Sequence, residues 1–257
     1  MNKEILMLIN CDMGESYGAW EMGQDKKIMP FIDMANIACG MHASDPSVML
    51  ATVRDAKKHG VRIGAHPGYP DIQGFGRRFM EMPTEQLKAY VIYQLGALNG
   101  ICQSENVTIS YVKPHGALYN AMMKSDHIYI ALLEAIASYA PDLPLMIMAV
   151  PDHLHYRQLA KQHNINLMFE AFIDRTYQGD GRLTPRTLPG ACHEDIDTIC
   201  EQAMKLISEQ SVRTIDGKEV SIQADTLCVH GDGKLAAEIV TKLKVKITEY
   251  TESIECK

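Results

Sequence analysis

Six short apolar runs in this chain of 257 residues end the same way, in polar and titratable side chains. Ile5 to Ile9 leads into Asn10-Cys11-Asp12-Met13-Gly14-Glu15, and Met34 to Cys39 into Gly40-Met41-His42. Val61 to Ile63 leads into Gly64-Ala65-His66-Pro67, and Val107 to Val112 into Lys113-Pro114-His115-Gly116. Leu167 to Phe169 runs into Glu170 and on to Asp174-Arg175-Thr176-Tyr177, and Thr226 to Val229 into His230-Gly231-Asp232. A seventh run, Leu145 to Val150, carries no charged end. Amphipathic segments separate the runs, and strands that alternate with helices build parallel sheets whose chemistry gathers at the carboxyl ends of the strands. The expected fold is α/β: a single (β/α) barrel over residues 1–257, of seven or eight strands, with distortion or incomplete closure allowed. About 250 residues is an ordinary length for one such domain. Residues 212–223, around Asp216-Gly217, read as a small β-hairpin inserted into it.

Local signals agree with that layout. Asp45-Pro46 is an N-cap followed by proline at the first helical position, and Gly60 suits the left-handed cap at the other end. Pro83 opens a helix whose Leu87, Val91, Leu95 and Leu98 share one face, and Ser125 to Tyr139 forms another. Lys113 and His115, two apart on extended backbone, are expected on the same side, facing a pocket. Pro67 to Gly76 and Gln178 to Ala191 are long loops rich in glycine and proline, the second in the position of a mobile lid. After Val245 a last short strand is expected, with Glu252 to Lys257 disordered.

The motifs Asn10-x-Asp12-x-Gly14-Glu15, Ala35-Asn36-Ile37-Ala38-Cys39-Gly40-x-His42-Ala43-x-Asp45-Pro46 and Gly64-Ala65-His66-Pro67-x-Tyr69-Pro70-Asp71 occur in order along the chain. Gly74-Phe75-Gly76-Arg77-Arg78, Lys113-Pro114-His115-Gly116-Ala117-Leu118-Tyr119-Asn120 and Asp174-Arg175-x-Tyr177 follow them. Together they resemble the LamB/YcsF family, from Asn10 to about Ala237. Ser44 stands where that family usually has glycine, and Gly233-Lys234 replaces its usual Thr-Pro. The resemblance implies ATP-dependent opening of the lactam 5-oxo-L-proline to L-glutamate, with ADP and phosphate as the other products. It also implies two partners, subunits B and C of the 5-oxoprolinase assembly, and ATP with Mg²⁺ used through that assembly. More distantly the pattern resembles metal-dependent carbohydrate deacetylases, which share a glycoside hydrolase/deacetylase-like distorted barrel.

The formal charge of −7 and the absence of any dense Lys/Arg run exclude a phosphate-backbone binder, so no nucleic acid is expected. Five consecutive apolar residues near the start are too few for a signal peptide or a membrane span, so a cytoplasmic location is expected. Seven cysteines without a Cys-x-x-Cys give neither a disulfide framework nor a zinc ribbon; Cys11, Cys39 and Cys228 read as small packing residues. His153 and His155 do not share a helical face and read as surface or capping groups. No Gly-x-x-x-x-Gly-Lys-[Ser/Thr] loop is present, so any nucleotide site is completed elsewhere.

Carboxylates and histidines at strand ends suit acid/base chemistry or a divalent metal. Asp12 and His66 are candidates for handling protons or water, and Lys113 and His115 for stabilising the developing oxyanion. Asn10, Glu15, His42, Arg77, Asp174, Arg175, Tyr177 and His230 are the candidate substrate-binding residues, with Arg175 or Arg77 on the substrate carboxylate. A bound metal in this chain is not expected; Asp12, His42 and His66 are the ligands in that alternative. The other readings are a stand-alone metal-dependent hydrolase and a non-catalytic component that presents a small acid.

Overall fold

Residues 7–231, 233 and 235–255 are described by the structure, a computed structural model. Its strands are β1 (Leu8–Met13), β2 (Met34–Ala38), β3 (Arg62–His66), β4 (Ile109–Val112), β5 (Leu145–Met148), β6 (Leu167–Phe172), the hairpin pair β7 (Ser211–Arg213) and β8 (Glu219–Ser221), and β9 (Thr226–Val229). Seven of them close into an all-parallel barrel in the order β1-β2-β3-β4-β5-β6-β9. The helices are α1 (Asp25–Ile28), α2 (Pro46–His59), α3 (Thr84–Ser104), α4 (Gly116–Met122), α5 (Asp126–Tyr139), α6 (Leu154–Gln162), α7 (Ile196–Glu209) and α8 (Ala236–Glu255). Strands covered on both faces must be apolar throughout, and β2, β5 and β9 are buried at every residue. The seams are uneven: β5 and β6 share four register pairs, whereas β4 and β5 meet at one, Val112 with Leu145.

The expected caps are present. The Asp45 carboxylate accepts from the Ser47 and Val48 amides, and Gly60 closes α2 at φ 68°. Ser44 has φ 72°, the left-handed region that glycine enters freely, so the backbone here suits the glycine that the resemblance leads one to expect. On β3, Gly64 leaves room for the Tyr111 ring of β4, and a Cβ at position 64 would collide with it. A Gly64→Ala change is therefore expected to destabilise the protein by at least about 1–3 kcal/mol, the scale of core overpacking, measured by urea unfolding. Unchanged stability would show that the ring has somewhere to go.

Three boundaries differ from the sequence expectations. β1 extends to Met13, pairing Asp12 with Asn36 and Met13 with Ile37, so Asn10 and Asp12 lie within the strand. The part of the expected first strand before Met7 lies outside the described residues. Likewise β6 continues through Glu170 to Phe172. The tail is helical: Val240, Leu243, Ile247 and Tyr250 recur at helical spacing against the core, a period of three to four that the β-branched Val245 and Ile247 obscured. Helix α8 runs to Glu255 in place of the expected disorder, and residues 256–257 lie outside the described residues, as do Asp232 and Lys234.

Candidate active site

Extended geometry persists past the end of β4 in spite of Pro114. The Lys113 amide donates to Ala65 O at 2.8 Å and the His115 amide to Pro67 O at 2.8 Å, so the two side chains stay on one side of the strand and both line the same cavity. That cavity, of about 600 Å³, opens at the carboxyl ends of the barrel strands. Asp12, Glu15, His66, Arg77, Arg175 and His230 also line it.

Its floor is a buried charge network. Lys113 Nζ donates to Asp12 Oδ1 at 2.9 Å, Asn10 Oδ1 at 3.2 Å and Cys228 Sγ at 3.3 Å, and pairs with Glu170 Oε2 at 3.0 Å. Burial alone would lower the Lys113 pKa, but Asp12, Cys228 and Glu170 outweigh it and hold the ammonium well above its ordinary value. Asn36 Nδ2 donates to Asp12 Oδ1 at 2.7 Å and to Asn10 Oδ1 at 2.8 Å, and Tyr111 in turn donates to Asn36 Oδ1 at 2.7 Å. Burial would raise the Asp12 carboxyl; His66 and Lys113 overcome this and keep it well below the usual carboxylate range. One oxygen of Asp12 is thus anchored, while Oδ2 faces His66 Nε2 at 3.4 Å.

Above Asp12 sit three histidines. His66 Nδ1 bonds the Lys113 carbonyl at 2.7 Å, His115 Nε2 bonds the Phe75 carbonyl at 2.8 Å, and His42 stacks on His115 with ring centroids 3.7 Å apart. Burial depresses the pKa of His42 far below the ordinary histidine value and brings His115 to about 3, so both stacked rings are neutral at physiological pH. Glu15 Oε1 lies 3.5 Å from both His42 Nε2 and His115 Nδ1.

The other candidate residues are distributed around this centre. His230 Nδ1 pairs with Asp174 Oδ2 at 2.6 Å on the far side of the cavity. Burial would lower the His230 pKa, but the Asp174 carboxylate raises it above the ordinary value. A histidine whose folded pKa is raised adds stability that is complete below its unfolded value, near 6.5, and is lost as pH rises through the folded value. In an Asp174→Asn variant that loss above pH 6.5 should disappear, as read from urea midpoints at pH 6 and pH 8; an unchanged difference would assign it to other groups.

Arg175 donates to Ala191 O at 3.1 Å and Thr184 O at 2.6 Å, and Thr176, Gln178 and Thr184 pair with the loop backbone. Gln178 to Ala191, the loop in the lid position, is thus tied to residues 175–177 at its base. Tyr177 is fully buried outside the cavity, its hydroxyl accepting from the Phe172 amide. Arg78 forks onto Asp71, whereas Arg77 lies over the Phe75 ring at the mouth. His155 pairs with Asp126 on the surface. Cys11, Cys39 and Cys228 are buried free thiols.

Sequence reasoning assigned no role to Glu170, Asn36 or Tyr111, the partners that fix Lys113 and Asp12. A charged residue inside the apolar run Leu167 to Phe172 was the available signal for Glu170.

A seven-stranded parallel barrel with an ionised aspartate and clustered histidines at its carboxyl-end mouth defines an α/β-barrel protein with a titratable strand-end pocket. Residues 7–256 match the LamB/YcsF family, and the chain belongs to that family. It is 50% identical over 238 residues to the A subunit of 5-oxoprolinase from Vibrio campbellii, covering 93% of this chain and 94% of that protein. It is 49% identical over 249 residues to the protein of the same name from Vibrio vulnificus, covering 97% and 100%. Among solved structures it is similar to the lactam utilization protein of Thermus thermophilus, with TM-score 0.89, 38% identity and coverage of 95% and 96%.

Proposed function

We propose that this chain is the lactam-opening component of an ATP-dependent 5-oxoprolinase, converting 5-oxo-L-proline, ATP and water into L-glutamate, ADP and phosphate together with subunits B and C. The observation that carries the reading is the polarity of the cavity. Its floor holds an ionised Asp12 with Oδ2 beside His66, while Arg77, Lys124, Arg182 and Arg186 stand around its mouth. A chain of net charge −7 that concentrates cations at one opening favours an anionic small molecule there. The volume lies in the range of sites for drug-sized ligands, roughly 300–1,000 Å³, more than a five-membered lactam fills, so a phosphoryl group fits beside it.

In this reading the mouth cations hold the substrate carboxylate and the phosphoryl oxygens. The γ-phosphoryl of ATP passes to the lactam oxygen as ADP leaves. Asp12 takes a proton from the water that adds to the activated carbon, the ring C–N bond breaks as the nitrogen takes up a proton, and a second water splits the resulting acyl phosphate into L-glutamate and phosphate. Lys113, enclosed by Asp12, Asn10, Glu170 and Cys228, acts through Asp12 by keeping it ionised. The activating ATP, with Mg²⁺, is bound at a site completed by the partners, since the chain carries no phosphate loop. A reactive intermediate needs shielding from bulk water, which places the partners over the barrel mouth. There Gly74-Phe75-Gly76, the Gly179 to Gly190 loop and the exposed Tyr17, Trp20 and Met22 after Glu15 are available for contact. A cytoplasmic setting accompanies this proposal; among the described residues no helix is long and apolar enough to cross a membrane.

The test is glutamate release. The purified chain with 5-oxo-L-proline, ATP and Mg²⁺ is expected to give none, and addition of subunits B and C to start it. Steady ATP-coupled release by the chain alone would refute the dependence, and silence from the full assembly would refute the function.

A further inference from the structure

Proton accounting among the three histidines leaves a gap that a cation fills. His66 Nδ1 faces a carbonyl oxygen, of Lys113, and His115 Nε2 faces another, of Phe75, both at hydrogen-bond distance. A carbonyl only accepts, so each of those nitrogens carries the hydrogen, and in a neutral imidazole the remaining nitrogen then presents a lone pair. The remaining nitrogens, His66 Nε2 and His115 Nδ1, face each other at 3.0 Å. Two lone pairs do not approach so closely with nothing positive between them.

The surroundings are donors to a cation as well. Asp12 Oδ2 lies 3.4 Å from His66 Nε2, and Glu15 Oε1 lies 3.5 Å from His115 Nδ1 and from His42 Nε2. His42 Nε2 is fully buried and makes no hydrogen bond. One ligand atom from each of Glu15, His42, His66 and His115 falls within 4.8 Å of all the others. An added proton bonds along one line and serves two atoms. An ion serves the whole set.

We propose that Glu15, His42, His66 and His115 form a site for one first-row divalent transition cation of the Zn²⁺ class, with Asp12 as a further carboxylate at its edge. The 3.0 Å between His66 and His115 and the 3.5 Å from Glu15 to His115 and His42 match atoms bound at roughly 2.0–2.1 Å around a tetrahedral ion, which stand about 3.3 Å apart. The His42 ring, parallel to His115 without the ion, turns to aim Nε2 at it. Three imidazoles and one carboxylate suit Zn²⁺, Co²⁺ or Ni²⁺, whereas Mg²⁺ prefers oxygen, so this ion is distinct from the one that accompanies ATP. The Lys113 and Phe75 carbonyls are the outer-sphere acceptors that orient metal-bound histidines by their second N–H. Sequence reading reached His42 and His66 as ligands of a metal alternative but set Asp12 with them in place of Glu15 and His115, because the ligands stand at or just past the ends of four different strands, β1 to β4. His42 and His66, the nearest two in the chain, are 24 residues apart.

The inference goes beyond the lactam reading and is tested by binding, so either can fail without the other. Full-length protein in a Cys192→Ser/Cys256→Ser background, which removes the thiol exposed among the described residues and the one outside them, is stripped with chelator and titrated with Zn²⁺ by calorimetry in excess Mg²⁺. One equivalent is expected to bind. His66→Gln, His115→Gln and Glu15→Gln should each weaken it by about 10²-fold or more, since even outer-shell changes cost 10–100-fold. His155→Ala, on the surface, should bind as the parent does. Should a ligand variant fail to fold, Co²⁺ titrated into the parent protein decides, with visible absorption and three imidazole nitrogens expected by pulsed electron-spin methods. Absence of stoichiometric binding, or unchanged binding in the three ligand variants, would overturn the site. So would ¹⁵N spectra of chelated protein in which one of the two facing rings is doubly protonated and unaffected by Zn²⁺.

Discussion

An Asp12→Asn chain, assembled with its partners, is expected to lose about 10²-fold or more of its turnover while KM stays near the wild-type value. Asparagine preserves the shape of the side chain and can still sit beside Asn36 and Lys113, but it cannot take a proton from water. Lys113 keeps Glu170 as its counter-ion at 3.0 Å, so folding should survive, and a thermal-melt control separates the two effects. Near wild-type turnover in a folded Asp12→Asn assembly would remove Asp12 from the proton-handling role.

The second large effect is on stability. Lys113→Met should destabilise the chain by about 3–5 kcal/mol, because it removes the cation shared by the half-buried Asp12 and the buried Glu170, and Glu170 left behind cannot recover its hydration. Glu170 is fully buried with Lys113 as its counter-ion, so most of the cost falls there. A Lys113→Met/Glu170→Gln double variant should recover a substantial part of the loss, measured as a coupling in a double-mutant cycle. A double variant less stable than the sum of the singles would mean that the pair acts through packing and not through charge.

What could be read in advance, and what could not, divides along sequence separation. The α2 caps at Asp45 and Gly60, the turn after β4 and the common side of Lys113 and His115 each depend on residues a few positions apart, where proline, glycine and the strand period act directly. Strand number and the shared mouth followed from repetition of one pattern. The partners of Asp12 and Lys113 did not, because Asn36, Tyr111, Glu170 and Cys228 meet only when the barrel closes, and nothing local to any of them specifies the meeting. The anchoring of the Gln178 to Ala191 loop was hidden for the same reason. Arg175 looked available to a substrate, yet its guanidinium reaches loop carbonyls 9 and 16 residues further along. In the tail, β-branched residues pulled the reading toward a strand, while the helical period of Val240, Leu243, Ile247 and Tyr250 decided the outcome.

The single register pair between β4 and β5 has a mechanical meaning. Ladder bonds make neighbouring strands move as one sheet, and β4 is stitched to β3 along three positions but to β5 at Val112 alone. The barrel is therefore a ring with one soft joint, and Lys113 is the first residue beyond it. The joint borders Met148, an apolar wall of the cavity, whereas Asp12, His66 and Lys113 hang on the β1 to β4 seams, which are paired at three or more positions each.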